Sequence, residues 1–161
     1  MELYHGSDVI VEKPILLPQQ RTLDFGAGFY TTTNMDQAAD FAGKVKVRRD
    51  SGVGYISVYE VAPIETLKQE ITLLEFKSPD YDWLDFVFEN RSGIYSGKLY
   101  DIIYGPVAND RIYRTFVAYE DGIITKDETI ERLKVIELYN QMTFTTDKAL
   151  SLLKYIGNFE I

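Results

Sequence analysis

The chain has no cysteine and a single histidine, His5, among its 161 residues. The first absence excludes disulfides and thiolate metal sites, and the second excludes any multi-histidine zinc centre. No spacing of His, Asp and Glu suits a metal ion, so no metal is expected. No apolar run approaches the length that spans a bilayer. Met1-Glu2-Leu3-Tyr4-His5 carries neither a basic n-region nor a long apolar stretch, so it does not read as a signal peptide. These absences set the expectation of a cytoplasmic protein with no membrane association. Basic residues are also in deficit: 17 Lys and Arg stand against 25 Asp and Glu, for a formal charge of −8. Such a surface repels nucleic acid except at a local basic patch, and the dense candidate is Lys44, Lys46, Arg48 and Arg49.

What is present is a chain long enough for one domain, residues 1–161, with a real core. Aromatics make up 14% of it, which favours strands and ring-lined clefts. Its organising stretch is Asp24-Phe25-Gly26-Ala27-Gly28-Phe29-Tyr30-Thr31-Thr32-Thr33. Paired glycines let the backbone turn tightly or approach another group closely. The aromatic pair and the threonines after them read as a strand. A helix follows, started by Asn34 or by a Thr33–Asp36 capping box, with Ala38, Phe41 and Ala42 on one face.

Further strands are expected at residues 3–5, 55–61, 71–76, 100–107 and 140–145, with a short one in the tail. Ser78-Pro79 reads as a helix start, with Leu84, Val87 and Phe88 on one face and Trp83 at its edge. Asn109 is placed to cap a helix carrying Ile112, Phe116 and Tyr119. Thr125 and Glu128 form a capping box, and Thr146 starts a last helix. Strands and helices mix without regular alternation, which predicts an α+β domain with an antiparallel or mixed sheet.

Few residues stand out chemically. The neutral ring of His5 offers one donor and one acceptor, which suits a ribose diol, a carbonyl or a core network. Asn109-Asp110-Arg111 interrupts an apolar run, and a helix cap with solvated charges accounts for it equally well. Gln141 lies in a strand between polar and apolar neighbours, so once buried it belongs to a network or to a site. There is no nucleophile elbow and no Walker loop, and Gly26–Gly28 lacks the third glycine of a dinucleotide fingerprint.

Taken together, His5-Gly6, Phe29-Tyr30-Thr31-Thr32 and Gln141 resemble the ADP-ribosyltransferase superfamily in its diphtheria-toxin-like branch, and more closely a family of small bacterial proteins assigned to it. The matching pieces run from Leu3-Tyr4-His5-Gly6-Ser7 through Trp83-Leu84-Asp85-Phe86-Val87 and Gly105-Pro106-Val107-Ala108-Asn109-Asp110-Arg111 to Asn140-Gln141-Met142-Thr143-Phe144. The resemblance implies a split, mixed or antiparallel β-sheet core with flanking helices, holding NAD in a cleft. It implies that His5 bonds the adenosine ribose, that the Gly6 backbone holds the nicotinamide amide and that Tyr30 stacks on the nicotinamide ring. Thr31 and Thr32 are expected beside the nicotinamide ribose. Asn109 and Arg111 join the binding set, and Asp110 and Arg111 are second contributors, for example at the diphosphate, without support from a motif of the wider superfamily. The implied reaction breaks the nicotinamide–ribose bond through an oxocarbenium-like transition state and transfers ADP-ribose to an acceptor. Members of this family often form the toxin half of a toxin–antitoxin pair, which adds an antitoxin to the expected partners. The acidic balance favours a protein acceptor over nucleic acid. The chain departs from the wider pattern on the late strand, where Gln141 replaces a Glu. A Gln accepts a hydrogen bond from a ribose hydroxyl but is no base and carries no charge. That leaves mono-ADP-ribosylation, slow NAD hydrolysis, or a module that binds NAD or ADP-ribose without turnover and acts through a partner. A structural domain with no cleft chemistry is the plainest alternative.

Overall fold

A computed structural model describes residues 1–18, 23–107, 110–134 and 139–161, with the backbone alone at 110–113. Among the described residues the elements run β1 (Glu2–Ser7), β2 (Phe29–Thr32), α1 (Met35–Arg49), β3 (Tyr55–Glu60), α2 (Ile64–Glu70), β4 (Leu73–Glu75), α3 (Tyr81–Arg91), β5 (Ile102–Pro106), α4 (Asp110–Glu120), α5 (Lys126–Leu133), β6 (Asn140–Phe144), α6 (Asp147–Leu150) and β7 (Lys154–Glu160). The strands form one open sheet in the order β4-β5-β6-β2-β1-β3-β7. The β4–β5 pair is parallel and the other pairs are antiparallel, so the sheet is mixed and the class is α+β.

Pairing is uneven along that sheet. β1 pairs with β3 from Glu2↔Glu60 to Ser7↔Tyr55, and β2 pairs with β6 from Phe29↔Phe144 to Thr32↔Gln141. Between β1 and β2 the register holds the single pair Tyr4↔Thr32. The sheet is therefore nearly parted along one line, a seam between β1 and β2.

Side chains alternate across a strand, and this sorts the core. Leu3, Phe29, Tyr59, Met142 and Phe144 point to one face, where Leu67 of α2 and Ala149 and Leu150 of α6 cover them. On the other face, Ile56 and Val58 pack under Ala38 of α1. Phe76, Trp83, Val87, Ile103, Phe116 and Leu133 form a third cluster over the β5 side.

Helix α1 sits unusually close to β1. A Cβ built on Gly6 meets the carbonyl oxygen of Ala38 at 2.1 Å and the Ala42 nitrogen at 2.9 Å, so only a glycine fits under the helix. The buried stripe of α1 is Ala38, Ala42 and Val45, one residue every three or four. Phe41 does not join it: the residue is 47% exposed, because the close approach of α1 to Gly6 admits alanines and leaves no room for an aromatic. Asn34 caps α1 by accepting from the Gln37 N–H, so the Thr33–Asp36 alternative is not used.

Two other boundaries differ from expectation. Asp80, not Ser78, caps α3 by accepting from the Trp83 N–H, since a carboxylate three residues ahead reaches that donor. Trp83 is fully buried rather than marginal, and its indole N–H donates to the Pro106 carbonyl at 3.0 Å. The expected capping box at Thr125 and Glu128 is present, as is the Thr146 cap of α6. Helix α2, flanked by Pro63, was not among the expected elements. Among the described residues no helix is long and apolar enough to cross a membrane.

Candidate functional site

The seam is where the singled-out residues gather. Past the Tyr4↔Thr32 pair the backbone ladder stops, and a side chain takes over. The Nδ1 of His5 lies 2.7 Å from the carbonyl oxygen of Tyr30. A carbonyl only accepts, so Nδ1 carries the proton and donates. The neutral ring then keeps a lone pair on Nε2. The ring also packs on Phe29 at 4.4 Å between centroids, tilted by 32°. Burial among these groups holds the His5 pKa below its ordinary value of 6.5, against the opposing pull of the Tyr30 carbonyl. The imidazole is thus neutral at pH 7, with an acceptor to offer.

Tyr30 is half-buried, and its hydroxyl is fully used. It donates to the Gly26 carbonyl at 2.7 Å and accepts from the Phe25 N–H at 3.0 Å. Burial pushes the phenol far above its usual pKa; the Phe25 N–H pulls it down and the Asp24 charge adds to the rise. Tyr30 thereby closes the glycine turn, in which the Gly26 N–H donates to the Leu23 carbonyl at 3.0 Å. Gly26 has φ of +76°, the left-handed region where a side chain is strained. Gly28 supplies the close approach instead, since a Cβ there meets the Phe144 carbonyl at 2.7 Å.

Thr31 and Thr32 are both buried and both engaged. The Thr31 hydroxyl donates to the Met142 carbonyl at 2.8 Å. The Thr32 hydroxyl accepts from the Asn34 N–H at 3.1 Å and donates to Gln37 Oε1 at 2.5 Å. Gln141 is the cross-strand partner of Thr32 and is 5% exposed. Its Nε2 has no hydrogen-bond partner among the described residues, and neither has the hydroxyl of Thr143. Thr143 is the cross-strand partner of Tyr30. It faces the Tyr30 hydroxyl without the geometry of a hydrogen bond.

His5, Tyr30, Thr31, Thr32 and Gln141 therefore lie on three adjacent strands, β1, β2 and β6. Two strand spacings separate the first strand from the third, about 10 Å. Opposed residues of antiparallel strands share a face, so Tyr30, Thr32, Gln141 and Thr143 stand together. His5 approaches the seam from the other face, the one bearing Phe29. Gly6 lies next to His5 with its Cβ position turned into α1. Asn109 lies outside the described residues, as does the side chain of Arg111. Thr143 and Gln37 were not anticipated. Thr143 was legible, because Gln141 and Thr143 alternate with Met142 and Phe144 in a period-2 pattern. Gln37 was not, because its role arises from the turn of α1 back over β2.

Among the described residues no group of three or more His, Cys, Asp or Glu comes together that could hold a metal ion. The fold and seam define an α+β chain with a parted sheet and a polar patch at the parting. A family model described as "Protein of unknown function (DUF3990)" matches residues 1–155, and the chain belongs to that family. No curated protein and no solved structure matches it.

Proposed function

We propose that the chain is an NAD-dependent mono-ADP-ribosyltransferase, acting on an intracellular acceptor as the toxin of a toxin–antitoxin pair. The observation that carries this reading is the buried Gln141 Nε2, a donor without a partner among the described residues, on one face of the seam, with an imidazole fixed through Nδ1 on the other face. An unsatisfied buried donor costs about 1–3 kcal/mol, a deficit that a bound oxygen acceptor removes. NAD fits that demand, with ribose hydroxyls that both accept and donate, and when bound it supplies the ADP-ribose and the nicotinamide leaving group. His5 Nε2 accepts one ribose hydroxyl, its ring oriented by the Tyr30 carbonyl. Gln141 grips an oxygen through Nε2 and contributes no charge. Tyr30 offers ring surface rather than its hydroxyl, which the glycine turn consumes. A ligand held by both His5 and Gln141 lies across the seam, since the two approach it from opposite faces.

The same Gln141 favours a second reading. Without a carboxylate on β6 the site is equipped for gripping more than for charge stabilisation, which suits an NAD or ADP-ribose binding module that acts through a partner protein. Nicotinamide release from NAD separates the two, measured with and without cell lysate beside His5→Ala and Tyr30→Ala. Release by the wild type that either substitution abolishes supports the transferase. No release, with NAD raising the melting temperature, supports the binding module. Neither release nor a thermal shift overturns both.

A further inference from the structure

The geometry points to Arg91 as a positioning residue for the seam, acting through the glycine turn on Tyr30 and through Tyr30 on the imidazole of His5. Arg91 ends α3, 61 residues beyond Tyr30 in sequence (91 − 30), and its side chain is 18% exposed. Its guanidinium lies 4.6 Å over the Phe116 ring of α4. One nitrogen donates to Asp24 Oδ1 at 3.2 Å, and Nε stands 3.7 Å from Glu120 Oε1. A planar, delocalised cation stacked on a ring and flanked by two carboxylates is held in one orientation, which a lysine in its place does not reproduce.

Asp24 is the residue on which that orientation acts. It opens the turn whose next members, Phe25 and Gly26, both bond the Tyr30 hydroxyl. Asn90, beside Arg91, bounds the same turn, since a Cβ on Gly26 meets its Oδ1 at 2.7 Å. The turn is thus pinned from α3 on one side and from Tyr30 on the other. Tyr30 in turn presents the carbonyl that takes the His5 Nδ1 proton. Four links, Arg91 to Asp24, Asp24 to the turn, the turn to Tyr30 and Tyr30 to His5, join the end of α3 to the seam. Each link is a hydrogen bond or one or two peptide units, so loosening the first lets the Tyr30 carbonyl drift and frees the imidazole to change tautomer.

The inference rests on the NAD reading for its functional consequence and stands apart from it in its test. His5 is the sole histidine, so one pair of imidazole nitrogen signals reports it without ambiguity. Nitrogen–proton correlation spectra of the wild type are expected to show the Nδ1–H form. Arg91→Gln is expected to raise the population of the Nε2–H form several-fold, Arg91→Lys to give an intermediate change, and Asp24→Asn to reproduce Arg91→Gln should the latter fail to fold. Asp101→Ala, which removes a carboxylate bonded to Thr72 and Thr146 and to no residue of the turn, serves as a destabilised control, and its imidazole signals are expected to match the wild type. Unchanged signals in folded Arg91→Gln or Asp24→Asn overturn the proposal, as does an equal change in Asp101→Ala. Where the wild type binds NAD, Arg91→Gln is expected to weaken binding about tenfold, on the scale of 1.4 kcal/mol per decade. Where it does not, the NAD reading fails and the imidazole signals still decide the role of Arg91.

Discussion

Gly6→Ala is the sharpest perturbation the structure offers. The added methyl would lie 2.1 Å from the Ala38 carbonyl oxygen, and ordinary contact begins near 3.4 Å, so α1 has to withdraw by about 1.3 Å. The obstacle is backbone, the Ala38 carbonyl and the Ala42 nitrogen, so no rotamer change relieves it. Withdrawal loosens Ala38, Ala42 and Val45, the whole buried stripe of the helix. Overpacking of this kind costs about 1–3 kcal/mol and sometimes more, and with backbone as the obstacle the expected loss is about 3 kcal/mol. For a domain of this size that is roughly 6–12 °C in melting temperature. Urea unfolding of both proteins, followed by far-UV circular dichroism, measures it. Ala38→Gly should not rescue the variant, because shortening that side chain leaves its carbonyl in place. A melting temperature within about a degree of wild type, or rescue by Ala38→Gly, would show that α1 is not seated on Gly6 as described.

Two further perturbations probe charge. Asp101 accepts from the Thr72 hydroxyl and N–H and from the Thr146 hydroxyl, bonds that hold its carboxyl below its ordinary pKa of 3.8. Asp101→Ala is expected to lose about 2 kcal/mol, the scale of bonds to a charged acceptor, read as a shift in the urea midpoint. Because the folded value is depressed, that stabilisation is present above the ordinary value and fades as pH falls through the folded one. His5 has the opposite charge and the same direction of shift. Its folded pKa lies below 6.5, so between the two values the unfolded chain binds more protons and stability falls as pH drops. His5→Gln should flatten the urea midpoint between pH 7 and pH 5 relative to wild type, and an unchanged slope would remove the lowered pKa.

Much of the fold was legible because its signals are local. Thr125–Glu128, Thr146 and the β-rich run at Tyr55–Glu60 act over three to six residues, and each stands where sequence places it. What failed depends on residues far apart. Phe41 has the spacing of a buried residue, yet Gly6, 35 positions away (41 − 6), brings the helix too close for it. Trp83 was underrated because its partner, the Pro106 carbonyl, belongs to another element. At the site, His5, Tyr30 and Gln141 were expected on a first, a following and a late strand, and that those strands, β1, β2 and β6, lie side by side follows only from the sheet order. The resemblance did not tell that the Tyr30 hydroxyl is spent on Gly26 and Phe25, or that Gly6 faces α1, since both follow from packing between elements.

The single ladder pair between β1 and β2 makes the molecule mechanically uneven. On one face Leu3, Phe29, Met142 and Phe144 run continuously beneath the line of parting, like the spine of a book. On the other face the covering splits into separate groups, one under α1 and one under α3 and α4. Bending is therefore cheapest in one sense, with the leaves parting on the side of Tyr30, Thr32 and Gln141. Backbone amides along this line should exchange with solvent through openings smaller than global unfolding, ahead of those between β1 and β3. Whatever binds across it stiffens the hinge, so occupancy can be read as slower exchange on both leaves at once.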